Sequence, residues 1–305
     1  MSTMDIDAGI VTNNPKFGII TALPREFAAV KSMLDGPRRV DPPSGDHNIY
    51  EIGAIPSLSG NCTHLAAVTL QTQPGNNIAA ATITNLRRSF PSVEHVLMVG
   101  IAGGVPNHRD PGKHVRLGDI VVSSHYGIVQ YDNISLTSKG VQLRGVSQPP
   151  SQALLAVVSY LEAGRLAGSY PWEAHMKRAA DIPGVDRPEI FKDVLHRSRS
   201  PYRKQQHPTD VARKPGFPKL YYGRIASSNI LLKDPLVRDL LRDELDIRAV
   251  EMESSGISDG AAGTGYLVVR GVVDYCDSFK NDDWQIYASV VAAAYMRSVI
   301  ETVSC

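Results

Sequence analysis

Long apolar runs are missing from this chain of 305 residues, and none reaches the roughly 18 residues that a membrane-spanning helix needs. Cysteine is scarce: Cys62, Cys276 and Cys305 are odd in number and far apart. No CxxC pair or His/Cys cluster suggests zinc, and no disulfide framework is visible, so the chain is expected to be reduced and free of metal. The start, MSTMDIDAGIVTNNPKF, lacks the basic and apolar regions of a signal peptide. Residues 1–14 are therefore expected to be a flexible leader, and the location intracellular and cytoplasmic. A dominant charge is absent too: the net charge of +1 provides no bulk field to draw nucleic acid or an anionic membrane. There is no internal repeat and no low-complexity tract.

What remains is ordinary for a soluble globular protein, with 43% hydrophobic and 21% charged residues. Apolar runs alternate with helical patterns, which predicts an α/β fold. FGIITAL (17–23) reads as a strand, followed by Pro24 in a first helical turn and by Phe27, Val30 and Leu34 on one helix face. HLAAVTLQT (64–72) and DIVVSS (119–124) read as strands; 78–90, 154–164 and 284–303 read as helices. HVLMVGIAGGVP (95–106) reads as a short apolar run ending in a glycine-rich turn. Only 168–219 resists this alternation, being rich in proline and poor in periodic apolar residues. Between His175 and Lys219, eleven Lys/Arg stand against five Asp/Glu, which suits either a basic loop for phosphates or a partner, or a solvated, irregular insertion.

Four segments hold chemistry. Gly100-Ile101-Ala102-Gly103-Gly104 follows a strand and matches neither GxGxxG nor GxxxxGK[ST], so it is either a ligand loop or a tight turn. In Ala249-Val250-Glu251-Met252-Glu253 an extended backbone places both acids on one face. They would grip a vicinal diol or form a solvated strand end. Glu26 lies one turn into the first helix, at the carboxyl end of a strand where open α/β sheets bind ligands; acids there also answer the helix dipole. In LVVRGVVDYCDSFKND (267–282), Arg270, Val272 and Asp274 project to one side of a strand. The pattern suggests a polar pocket or a structural Arg–Asp pair.

Taken together, FGIITALPREFAAVKSML, LMVGIAGGVP, RLGDIVVSS, AVEMES and VVRGVVDYCDSFKNDDWQIYASVVAAAY resemble the nucleoside phosphorylase superfamily. This superfamily comprises purine and uridine phosphorylases and methylthioadenosine/adenosylhomocysteine nucleosidases. Their order and spacing match from residue 17 to the C-terminus, apart from 168–219. The closest similarity is to the fungal branch, often found before NTPase and ankyrin modules; here the domain would stand alone. The resemblance implies one α/β domain over 15–305, with a mixed central sheet closing partly into a barrel and flanked by helices, assembled as a homo-oligomer. By motif, Asp274 matches the acid that serves purine N7, Glu253 the residue gripping the ribose hydroxyls, and Met252 the residue packing on the sugar. Arg270 matches the arginine orienting the carboxylates, and Gly103 lies in the glycine segment near base and sugar. Ile230 falls where nucleosidases place an aromatic, a departure from the pattern. Asn229, Asp277 and the insertion are candidates for shaping base choice.

Within the resemblance, the nucleophile separates the subclasses. Phosphorylases have an early Gly-and-Arg phosphate loop and an arginine after the strand equivalent to 64–72. This chain has TALPREF and QTQPGNN instead, and Gln71, Gln73 and Asn76 bring no positive charge for a phosphate dianion. Glu26 aligns with the nucleosidase acid that activates water. The expected activity is therefore hydrolysis of a purine nucleoside to base and ribose, with Asp274 and Glu26 catalytic and no cofactor or metal. The alternatives are a phosphate-dependent phosphorylase, which Arg25 keeps open, and a nucleoside-binding sensor without turnover.

Overall fold

The computed structural model describes residues 14–43, 45–138, 140–144 and 149–305, so the expected leader lies, apart from Asn14, outside the described residues. In chain order the elements begin β1 (Phe17–Thr21), α1 (Pro24–Ser32), β2 (Asp35–Val40), β3 (Tyr50–Pro56), β4 (Thr63–Leu70) and α2 (Asn76–Ser89). Next come β5 (His95–Gly104), β6 (Ile120–Gln130), β7 (Ile134–Thr137), β8 (Gly140–Leu143), α3 (Gln152–Leu166) and α4 (Pro171–His175). The chain continues with β9 (Leu195–Arg197), β10 (Ser200–Gln205), β11 (Leu220–Ser227) and α5 (Pro235–Leu245). It closes with β12 (Ile247–Glu251), α6 (Ser254–Gly260), β13 (Gly265–Asp274) and α7 (Gln285–Thr302).

Nine strands form one mixed sheet in the order β12-β11-β6-β13-β5-β1-β4-β3-β2. β12 also pairs antiparallel with β5, through Ala249 with Gly104 and Val250 with Gly103, so the sheet closes on itself over five strands. That closure gives the single α/β domain with a partly barrel-like sheet and flanking helices that the family resemblance implies. β1, β5 and β13 run parallel side by side, which brings their carboxyl ends to one rim. They are mostly apolar because helices cover them: α7 is buried on every side from Tyr287 to Ile300 and packs on β5, β13 and α1.

Three expectations change. The glycine-rich segment is not a turn: Gly100 to Gly104 continue β5, paired with β13. The stretch 168–219 is less irregular than its prolines suggest. It holds α4 and the β9–β10 hairpin, and Trp172 is buried against Tyr295 with ring centres 5.3 Å apart. The cysteines are not all free, since Cys62 and Cys305 form a disulfide across 243 residues, leaving Cys276 as a buried thiol. Spacing did not reveal this pair because tertiary packing brings the start of β4 beside the end of α7. There His64 Nε2 lies 3.1 Å from the carbonyl of Val303. No helix among the described residues is long and apolar enough to cross a membrane.

Candidate active site

The site is built where β1, β5, β12 and β13 end. Pro24 opens α1 directly after β1, and Glu26, two residues on, folds back over the strand end. Its Oε2 accepts the N–H groups of Ala22 at 2.7 Å and Leu23 at 2.8 Å; its Oε1 accepts the N–H of Ile101 at 2.8 Å. A carboxylate with three backbone donors has a fixed orientation. Burial pushes its pKa up, against the opposing pull of Arg270 and these three N–H groups. Glycine in β5 makes room for it. A Cβ at Gly100 would lie 2.6 Å from Arg270 Nη1, and one at Gly103 would lie 2.9 Å from Asp274 Oδ1.

Arg270 sits in mid-β13 with no exposure, and does not pair with Asp274. Its Nη2 donates to Glu251 Oε2 and, at 3.1 Å, to Glu253 Oε2, while Nη1 reaches the carbonyl of Ile101 at 3.5 Å. Ile101 thus holds Glu26 through its N–H and meets Arg270 through its carbonyl. Glu251 ends β12 and also accepts from Ser254 Oγ at 2.7 Å and from the Glu253 N–H at 3.1 Å. Glu253 Oε1 accepts the N–H of Gly75 at 3.2 Å. Both acids are buried, so they are not a solvated strand end. Burial pushes the Glu253 pKa up. Arg270 opposes this, and the charges of Glu251 and Glu26 add to the rise.

Asp274 ends β13, where its pairing with β5 slips by one residue. Its Oδ1 accepts the Cys276 N–H at 2.8 Å, and Lys280 Nζ lies 2.9 Å from Oδ2. These groups surround a cavity of about 290 Å³, with Met252 and Ile230 among its apolar walls. The volume suits a small ligand, and the lining pairs apolar surface with a few convergent polar groups.

The profile of the phosphorylase superfamily matches residues 16–301. The chain belongs to the phosphorylase superfamily. Among curated relatives of this superfamily chain, a nucleotide-binding leucine-rich repeat (NLR)-like protein of Hyaloscypha variabilis is 30% identical over 94% of this chain and 29% of its own length. The ATP nucleosidase Cap17 of Escherichia coli is 26% identical over 92% of this chain and 50% of its own. The chain thus spans half or less of these two relatives. A 5′-methylthioadenosine/S-adenosylhomocysteine nucleosidase of Mycobacterium bovis is 25% identical over 93% of this chain and 94% of its own. Among solved structures, the corresponding Helicobacter pylori nucleosidase superposes with a TM-score of 0.63 at 17% identity, covering 94% of this chain and 98% of its own. That likeness is one of fold.

In this superfamily domain, Glu26, Glu253, Met252, Gly103, Ile230 and Asp274 line the cavity together. Arg270 lies beneath it, holding the glutamates. Asn229 does not line it: its Oδ1 accepts the Asn76 N–H at 2.9 Å and pins the start of α2. Asp277 faces a neighbouring cavity, where its Oδ1 accepts the Phe279 N–H at 2.9 Å. The sequence reading leaves Lys280 without a role and does not pair Glu251 with Arg270. Glu251 is the first partner of Arg270, and Lys280 is the partner of Asp274. The signal for Lys280 was its place six residues after Asp274 in DYCDSFKND; helix or strand spacing does not pair those positions, and only a loop brings them together.

Proposed function

We propose that this domain hydrolyses the N-glycosidic bond of purine nucleosides, releasing the free base and ribose. The observation that carries the reading is Glu26: a buried carboxylate held by three N–H groups in the wall of a nucleoside-sized cavity, beside the diol-gripping acid Glu253. In the mechanism Glu253 accepts from the ribose hydroxyls, and Met252 packs on the sugar. Asp274 and its surroundings meet the base at N7. Glu26 takes a proton from water as the sugar approaches an oxocarbenium ion. The elevated affinity of buried Glu26 for protons makes it a stronger base than a solvated carboxylate.

Water is favoured over phosphate by the charges around the cavity. Glu26, Glu251, Glu253 and Asp274 face it against Arg25 and Lys280. Arg25 is held by Gln285, and Lys280 by Asp274. A phosphate dianion would meet a wall already rich in carboxylates. The cavity opens at Ile230 and Leu231, 59% and 50% exposed, and a second copy packed there would close it, in keeping with a homo-oligomer.

The test incubates the protein with adenosine, inosine, guanosine, uridine and ATP, with and without phosphate. ATP is included because one relative is named for it. Free sugar product without phosphate is the expected result. Ribose 1-phosphate only when phosphate is present would replace hydrolysis by phosphorolysis, and saturable binding with no product would leave a sensor.

A further inference from the structure

Asp274 leads into a turn that a chain does not adopt freely. Its Oδ1 accepts the Cys276 N–H at 2.8 Å, and buried Cys276 holds a left-handed backbone with φ of 52° although it carries a side chain. Such a conformation persists only where its surroundings fix it. Here the fixed point is Tyr275, the buried residue between the two. Its hydroxyl donates to Asp193 Oδ1 at 2.6 Å and accepts the Leu117 N–H at 3.3 Å. Burial, with Asp193 beside it, pushes the hydroxyl pKa well above its ordinary value, so the group stays a donor. Asp193 is an anion: burial pushes its pKa up, but His207, Arg116 and Tyr275 outweigh this and bring it to about 2. At the backbone, the Tyr275 carbonyl accepts from Arg238 Nη1 at 2.6 Å, and buried Arg238 donates from Nη2 to Ser198 Oγ at 2.9 Å. Asp193 and Ser198 stand on either side of β9. One hold on Tyr275 thus comes from the 168–219 stretch, and the other is braced by it.

We propose that the β9 region of 168–219 is a clamp on the end of β13, and that Tyr275 and Asp193 are positioning residues that aim Asp274 at the base. The proposal rests on the nucleosidase reading above, in which Asp274 serves purine N7. With Oδ1 taken by the Cys276 N–H, the oxygen left for a ligand is Oδ2. It is buried and accepts no hydrogen bond among the described residues, Lys280 meeting it only as an ion pair. A buried acceptor without a donor is costly, and a purine that carries a proton at N7 supplies the donor. That match serves the leaving base more than the bound nucleoside, so it favours the transition state. Without the clamp the turn relaxes and Oδ2 swings off this line, while the other walls of the cavity stay in place.

The test measures by calorimetry the binding of two adenine analogues: 9-deazaadenine, which carries an N–H at position 7, and 7-deazaadenine, which carries a C–H there. Wild type is expected to bind the first about tenfold or more tighter, and Tyr275→Phe to bring the two within about twofold. In the same variant kcat on the best nucleoside of the panel should fall about tenfold, with KM within roughly threefold. Ser198→Ala, which keeps the hydroxyl, is expected to narrow the preference about threefold or more, and it decides the matter if Tyr275→Phe does not fold. A preference or a kcat unchanged in the folded variant overturns the clamp. So does an equal weakening of both analogues, which would mark Tyr275 as a structural support. A wild type that binds both analogues alike has no base at Asp274, and the proposal falls with the reading beneath it. A wild type that shows the preference but turns over no nucleoside overturns the nucleosidase reading alone.

Discussion

Arg270 Nη2 donates to Glu253 Oε2 at 3.1 Å and to Glu251, so one fully buried cation holds two acids that leave the same strand end. Glu26 adds a third buried carboxylate within its electrostatic reach. Burial raises the pKa values of Glu26 and Glu253 against the pull of this single positive charge, and at Glu253 the charges of Glu251 and Glu26 add to the rise. The arrangement ties stability and chemistry to the same residues.

Removing the cation should therefore be costly. Arg270→Met leaves Glu251 and Glu253 buried without their partner, and a loss of about 3–5 kcal/mol in unfolding free energy is expected. Urea denaturation at neutral pH checks this. Stability equal to wild type would mean that the acids find other compensation.

Glu26 separates its two roles by substitution. Glu26→Gln keeps one acceptor oxygen and is expected to lower turnover by about 100-fold or more, since it can no longer take a proton from water. Glu26→Ala leaves the N–H groups of Ala22, Leu23 and Ile101 unpaired and should also cost roughly 2–4 kcal/mol in stability. Sugar release by the folded Gln variant and denaturation of the Ala variant are the measurements. Near-normal turnover in folded Glu26→Gln would remove the water-activating role.

The pH dependence of stability follows from Glu253. Burial, opposed by Arg270 and reinforced by Glu251 and Glu26, raises its pKa from 4.5 to about 7 in the folded protein. Between those values the folded state binds the proton more tightly than the unfolded state, so this group's contribution to stability falls as pH rises through the window. Glu253→Gln should flatten the slope. The difference between wild type and variant is expected to change by on the order of 1–3 kcal/mol between about pH 5 and about pH 7.5. Parallel stability–pH curves for the two proteins would show that Glu253 does not titrate there.

The Cys62–Cys305 disulfide closes a loop across a separation of 243 residues. Reduction, or Cys305→Ser, is expected to lower stability by about 2–5 kcal/mol through the freed ends of the unfolded chain. Urea midpoints with and without reductant decide it, and the Cys305→Ser protein should be insensitive to reductant.

The fold class was legible because its signal is local. Apolar runs such as Leu267 to Val269 alternate with helical patterns, and five ordered motifs reached the family. Glu26, Met252, Glu253, Asp274, Gly103 and Ile230 could be named as one site for the same reason, since each sits in a recognisable segment at a strand end. Pairing was not legible. Arg270 and Asp274 share a strand, and a strand rule joins residues along it. Arg270 instead turns to Glu251 and Glu253, because β12 crosses onto β5 and brings Glu251, and Glu253 just after it, into the cavity wall above the arginine. Asn229 is near in sequence to Ile230 but serves α2. Lys280 and the Cys62–Cys305 link depend on loop paths and chain ends, which no periodicity encodes. By itself the sequence determined which elements form and which chemical groups reach the rim. Only the tertiary structure decided which charges neutralise one another, because burial makes an ion's partner a matter of through-space distance rather than of separation along the chain.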